Sequence, residues 1–333
     1  MDLTVDYLGI RLRHPFITGA GPLADSVDMA RRLEDAGAAA IVMRSLFEEQ
    51  LVREELHTHG AFETHSHSTG EALSYLPDPA DFVLGPQEYL EQLRRLKEAV
   101  SVPVFASLNG TTRGSWLRNA KLLQEAGADA IELNLFTVPV DPSITALDIE
   151  DEAVEMVREV KEATGLPLAV KLSPFYTSLA HFARRLHDAG ARGLVLFNRF
   201  SGPDVDIEEL EVSERFRPSV VTEVSLRLRW LAVVSARVPG VSLAITGGMH
   251  RFEDAVKAVM CGASAVQLVS AILQHGPEQL TQMKKQMEMW MEEKGYASLL
   301  EMRGSMNLAR CPDPRAYERG NYVRLLQTWG EGM

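Results

Sequence analysis

The feature that most constrains this chain is a glycine that recurs at the same place in a repeated pattern. Ala36-Gly37-Ala38, Ala126-Gly127-Ala128, Ala189-Gly190-Ala191 and Cys261-Gly262-Ala263 each close a stretch whose apolar residues recur with helical period. Glycine just past the last periodic residue ends a helix, because it takes up the left-handed conformation without strain. A short apolar run follows each one: Ala40–Ser45, Ala130–Leu135, Gly193–Asn198 and Ala265–Ser270. These runs are rich in Val, Ile and Leu and too short for helices, so they read as parallel strands buried on both faces. Three more follow a proline or glycine turn: Val104–Leu108, Leu168–Leu172 and Ser242–Thr246. Phe16–Ala20, after Pro15, supplies the first. Eight strands alternating with helices predict an α/β chain closed into a (β/α)8 TIM barrel. Spacing alone does not prove closure, so an open doubly wound sheet is the alternative.

The whole chain, 1–333, reads as one barrel domain with a C-terminal extension from about residue 300; no low-complexity linker divides it. α/β barrels of about 250 residues or more commonly form a single unit. Two segments are too long for simple loops: the one between Ser45 and the helix near Gln87, and the one between Asn198 and Thr222. Loops that follow barrel strands lie on the catalytic face, so both insertions are expected to cover a site there. Cys261 and Cys311 are far apart and show no metal-ligand spacing, which fits a reducing compartment. The start of the chain shows neither a basic leader nor a long apolar run, and a cytoplasmic location is expected. A formal net charge of −12 argues against nucleic acid or an anionic membrane as the main partner.

Polar residues collect at the carboxyl ends of the predicted strands. Arg44 and Ser45 end the second, Asn109 follows the third, and Glu132 and Asn134 share one face of the fourth. Lys171 and Ser173 end the fifth, Asn198 ends the sixth, and Gly247-Gly248 follow the seventh. A lysine inside Leu168-Ala169-Val170-Lys171-Leu172 is costly to bury without a partner, which leaves a structural ion pair or a ligand at the barrel mouth. Barrels often hold a phosphate on the loops after strands seven and eight. Here Thr246-Gly247-Gly248 and Val269-Ser270-Ala271 occupy those places, offering close backbone N–H groups and a hydroxyl. A phosphate-bearing small molecule is therefore expected.

Ordered along the chain, these segments resemble the dihydroorotate dehydrogenase family over roughly residues 1–290. The opening from Tyr7 through Pro15-Phe16-Ile17-Thr18-Gly19-Ala20-Gly21 is similar to the family's start. Val42-Met43-Arg44-Ser45 resembles its Thr-Lys-Ser segment, and Glu132-Leu133-Asn134-Leu135 the beginning of Glu-Leu-Asn-Leu-Ser-Cys-Pro-Asn. Val170-Lys171-Leu172-Ser173-Pro174 resembles the flavin-contacting stretch. Ile245-Thr246-Gly247-Gly248 and Ala265-Val266-Gln267-Leu268-Val269-Ser270 resemble the closing phosphate motifs. The resemblance implies an FMN-dependent oxidoreductase of the soluble class 1 type, oxidising dihydroorotate in pyrimidine biosynthesis, or a related cyclic amide. It implies FMN contacts at Ala20, Gly21, Arg44, Ser45, Asn109, Lys171, Gly247, Gly248 and Ser270, with Lys171 placing positive charge near flavin N1. Asn134 and Asn198 match positions that hold substrate. Thr137, Lys171 and Arg44 fall at the catalytic positions. A homodimer is expected, and an electron-transfer partner subunit is compatible.

The pattern departs from the family on the substrate side. Thr137 stands where the family has a cysteine or serine base, and a hydroxyl is a far weaker base than a thiol. Pro139 replaces a substrate asparagine, Glu71–Pro77 offers no match to another, and Arg44 replaces a lysine with a fixed fork of donors. Two other readings stay open: a barrel synthase or isomerase using Lys171 on a phosphorylated substrate without flavin, and a flavin-binding subunit or scaffold without activity of its own. No metal is expected. The His57-x-His59 and His65-x-His67 pairs lack a cysteine companion and read as an exposed polar loop. Asp148, Glu150, Asp151 and Glu152 read as a solvated helix start, and Met283, Met287, Met289 and Met291 as packing. The tail with Tyr317, Arg319, Tyr322 and Trp329 is expected to dock on the barrel or on a neighbouring subunit.

Overall fold

A computed structural model describes residues 1–47, 86–109, 113–199, 202–213 and 217–319. The four glycine turns end their helices as the sequence requires. Gly37, Gly127, Gly190 and Gly262 have φ of 95°, 94°, 114° and 116°. After each, the next N–H reaches back to the carbonyl five residues earlier: Ala38 to Leu33 at 2.8 Å, Ala128 to Leu123 at 3.1 Å, Ala191 to Leu186 at 3.0 Å and Ala263 to Ala258 at 2.9 Å. This capping geometry satisfies carbonyls that the helix leaves open and turns the chain sharply into the next strand.

Eight parallel strands follow one another around the sheet. They are the first (Phe16–Thr18), second (Ile41–Phe47), third (Val104–Asn109), fourth (Ala130–Asn134), fifth (Leu168–Leu172), sixth (Gly193–Leu196), seventh (Ser242–Thr246) and eighth (Ala265–Leu268). The eighth pairs with the first in register Val266↔Phe16. Backbone bonds from Ala39 N–H to Phe16 O (2.9 Å) and from Thr18 N–H to Ala40 O (3.1 Å) join the first to the second, closing the ring. The expected (β/α)8 barrel is the fold, and the open sheet is excluded. The second strand runs two residues past its expected end, and its register against the third shifts between Val42 and Ser45.

Two short hairpins lie outside the ring. Val5–Tyr7 pairs with Ile10–Leu12, and Leu8 N–H donates to Ser242 Oγ at 3.1 Å. A side chain on Gly193 would meet Leu8 Cδ2 at 2.3 Å, so this hairpin presses on the amino ends of the sixth and seventh strands. The Tyr7 ring reaches across to Phe105 of the third strand, 6.1 Å away. The second hairpin, Asp204–Asp206 with Glu211–Ser213, belongs to the long segment after the sixth strand and is largely exposed. The first long insertion, including the paired histidines and Glu71–Pro77, lies outside the described residues, as do Tyr322 and Trp329.

The other sequence expectations have structural outcomes. Asp148 forms a reciprocal cap with Thr145 at the start of the helix Ala146–Ala163, and Glu150 and Asp151 both engage Arg185. Met283, Met287 and Met291 are fully buried, whereas Met289 is 61% exposed and packs no core. The tail as far as residue 319 docks on the barrel helices: Met306 N–H donates to Met260 O at 2.9 Å and Leu308 N–H to Ala232 O at 3.0 Å. No helix among the described residues is long and apolar enough to cross a membrane.

Burial at the amino end of the barrel carries a pH signature. His14 is 3% exposed; burial, then the charges of Lys284 and Arg13, lower its pKa from 6.5 to about 4. Between those values the unfolded chain binds a proton that the folded chain refuses, so stability falls as pH drops from about 6.5 to about 4. The loss is on the order of 3 kcal/mol, about 1.4 kcal/mol per pH unit. Urea unfolding across this range should show it, and His14→Gln should flatten that part of the curve.

Candidate active site

A cavity of about 690 Å³ opens at the carboxyl ends of strands five, six, seven, eight and one. Its walls bring together most of the residues singled out as a flavin site. Ala20 and Gly21 come from the loop after the first strand, Lys171 from the fifth and Asn198 from just beyond the sixth. Gly247, Gly248 and Ser270 lie beyond the seventh and eighth. The remaining candidates sit on the opposite arc, on strands two to four, and do not line this cavity. Arg44 is held by Asp25 at 2.7 Å, both about a quarter exposed. Burial raises the Asp25 pKa while Arg44 opposes the shift. Ser45 and Ser107 share a hydroxyl–hydroxyl bond of 2.8 Å, and Asn109 is half-buried opposite Phe47. The Asn198 side-chain N–H donates to Asn134 Oδ1, joining the two substrate candidates across the mouth. Thr137 is exposed, together with Val138, Pro139 and Val140, in the loop after the fourth strand.

The glycine turn has no room for side chains. Gly247 and Gly248 take φ of 89° and 77°, left-handed values that disfavour other residues. A Cβ on Gly247 would lie 2.6 Å from Arg227 Nη2, and one on Gly248 would lie 2.6 Å from Val220 O. Gly21 is similarly confined, 2.9 Å from Val269 Cγ1. At the cavity floor Lys171 Nζ stands 3.4 Å from Glu132 Oε1, their side chains 9% and 2% exposed. A buried lysine is tolerated when an opposite charge faces it, and Glu132 supplies that charge.

Three residues that sequence reasoning passed over help to build the site. Ser219 donates to Ser270 Oγ at 2.9 Å and accepts from Gly248 N–H at 2.9 Å, tying together the loops after strands seven and eight. Gln267 donates from Nε2 to Glu132 Oε2 at 2.7 Å inside the barrel. Arg227, 5% exposed, donates to Thr246 O and Glu223 O beneath the glycine turn; burial lowers its pKa. Gln267 carried a signal, a lone amide in an apolar strand. Ser219 carried none. Among the described residues, no group of three or more His, Cys, Asp or Glu is placed to hold a metal ion.

The residues present could hold a phosphorylated small molecule. The cavity lies within the roughly 300–1,000 Å³ usual for small-molecule sites, and it has a cation at its floor and a bare backbone turn at its rim. Fold and cavity thus define a (β/α)8 barrel with a ligand site at its carboxyl face. The model of the family described as dihydroorotate dehydrogenase matches residues 83–291, well over half of the chain. The chain belongs to the dihydroorotate dehydrogenase family, a family of oxidoreductases. It is similar to the catalytic subunit of dihydroorotate dehydrogenase B (NAD(+)) from Methanothermobacter thermautotrophicus, 27% identical over 91% of this chain and 97% of that protein. The same subunit from Caldicellulosiruptor saccharolyticus is 23% identical over 92% and 100%. The NAD-dependent dihydropyrimidine dehydrogenase subunit PreA of Escherichia coli is 24% identical over 92% of this chain and 77% of its own.

Gly248→Ala should test the turn. A left-handed alanine costs about 1–2 kcal/mol, and the contact with Val220 O adds to it. Thermal unfolding should show a loss of at least that size, with Gly165→Ala, an exposed glycine outside the left-handed region, as the mild comparison.

Proposed function

We propose that the chain is an FMN-dependent oxidoreductase acting on a CH–CH bond of dihydroorotate or a related cyclic amide. The observation that carries this reading is one cavity lined both by the Lys171 ammonium and by the Gly247-Gly248 turn with Ser270. When bound, the flavin supplies the two-electron acceptor for hydride leaving the substrate carbon. Lys171 would hold the ring, and its ammonium would favour negative charge there. Gly247, Gly248 and Ser270 would hold the phosphate, with Ser219, which accepts from Gly248 N–H, beside them. Ala20 and Gly21 form a wall of small residues, and Ser45 and Asn109 belong to the same cofactor assignment. Asn134 and Asn198, already paired to each other, orient substrate amides.

Two residues are assigned on the substrate side. Arg44, held by Asp25 outside the cavity, is assigned to the substrate or flavin edge by the family resemblance. Thr137 would take the proton from the carbon beside the carbonyl as its own hydroxyl proton passes to water. Its exposure favours a second reading, a flavin-binding subunit with no dehydrogenase activity of its own. The relatives named as subunits support a partner subunit; that this partner carries electrons, that the chain pairs as a homodimer and that it works in the cytoplasm belong to the same proposal.

Purified protein should release FMN on denaturation. Under anaerobic conditions its visible absorbance should bleach with dihydroorotate or with one of a panel of dihydropyrimidines and cyclic imides. A flavin that none of them reduces points to the second reading; no flavin at all defeats both. Lys171→Gln should weaken FMN binding ten- to a hundredfold, the scale of about 1.5–3 kcal/mol for a charged hydrogen bond. Thr137→Val should slow bleaching about 10²–10⁴-fold at unchanged FMN content, as loss of a positioned base does. An unchanged rate would move that role to another group.

A further inference from the structure

We propose that Glu132 is a positioning residue for this cavity: its carboxylate offsets the charge of Lys171 and so sets how strongly a bound flavin is driven towards its reduced form. The inference rests on the flavin reading. Glu132 sits on the inward face of the fourth strand, 2% exposed, two residues below Asn134, which lies opposite Lys171 in the register with the fifth strand. A carboxylate buried this far is costly and needs compensation. Gln267 gives one hydrogen bond to Oε2 at 2.7 Å, while Oε1 makes none and faces Lys171 Nζ across 3.4 Å.

That asymmetry separates the two roles an acidic residue has here. The hydrogen bond to Gln267 does not require a charge, since a glutamine at 132 would offer the same carbonyl oxygen. The contact with Lys171 is Coulombic and not a closed hydrogen bond, so the ammonium keeps its donors for a ligand while part of its field is cancelled. Tyr7, fully buried at the amino end of the barrel, feels the same charge: burial, then Glu132, raises its pKa well above 10.0. Facing the ammonium across 3.4 Å from a buried position, the Glu132 carboxylate opposes negative charge gained at the Lys171 end of the cavity.

The test reads midpoint potential, which a purely structural role would leave in place. FMN-loaded full-length protein is equilibrated with a reference dye during slow enzymatic reduction. Glu132→Gln should raise the ratio of reduced to oxidised flavin about tenfold, a shift of about +30 mV for a two-electron couple. Glu132→Asp, which keeps the charge, should stay within about twofold of wild type, about 9 mV. A potential that is unchanged or lower in Glu132→Gln overturns the inference, and so does an equal shift in Glu132→Asp, which would assign the effect to shape. Should Glu132→Gln fail to fold with its lysine unopposed, the change is made in Lys171→Gln protein, where it removes the last buried charge of the pair. The potential must rise there too, and no rise overturns the inference. Wild-type protein that takes up no FMN removes the flavin reading and this inference with it. Flavin bound with equal potentials strikes this inference alone.

Discussion

The ion pair between Lys171 and Glu132 is the constraint around which the rest of the barrel is arranged. Two opposite charges lie buried inside a closed sheet, their side chains 9% and 2% exposed. Each alone would cost several kcal/mol to bury, and together they are tolerated only with fixed geometry and further hydrogen bonding. That geometry comes from adjacent parallel strands, whose register places Asn134 against Lys171 and Glu132 against Ala169. It is completed across the ring by Gln267 of the eighth strand. The barrel must close for the eighth strand to reach the fourth, so the polar cluster and the closed topology depend on each other.

Around this pair the carboxyl face divides into two arcs of different character. From the fifth strand round to the first, side chains and bare glycine backbone surround one cavity, and Ser219 ties its rim by bonds to Gly248 and Ser270. From the second strand to the fourth, the candidates are held by neighbours in the protein: Arg44 by Asp25, Ser45 by Ser107, Asn134 by Asn198. Motifs that resemble the family lie on both arcs, and the departures at Arg44, Thr137 and Pro139 all fall on the second.

What could be read from the sequence followed the strength of the local physics. The four glycine caps were legible because a left-handed residue after a periodic stretch has few other causes. They fixed the strand starts to within a residue or two. Lys171 was legible because an ammonium in an apolar run demands an explanation. Its partner was harder to see: Glu132 stands in an equally apolar strand, but which cation meets it depends on strand order and register, not on spacing along the chain. Ser219 left no trace, since a serine after Arg217-Pro218 in a long loop looks like any other. Thr137 shows the opposite limit. Alignment with a motif gave it a role, whereas its exposed position depends on the course of a loop that no periodicity governs.

The short hairpin at the start of the chain has an effect reaching beyond the amino end of the barrel. Tyr7, Leu8 and Leu12 are buried to within a few per cent, spanning from Gly193 and Ser242 to Phe105 like a stopper in the neck of a flask. Among the described residues, these three side chains stand between solvent at that end and the barrel's interior. The cavity opens at the opposite end, among the loops that follow the strands, so those loops can change in length and sequence without disturbing the plug.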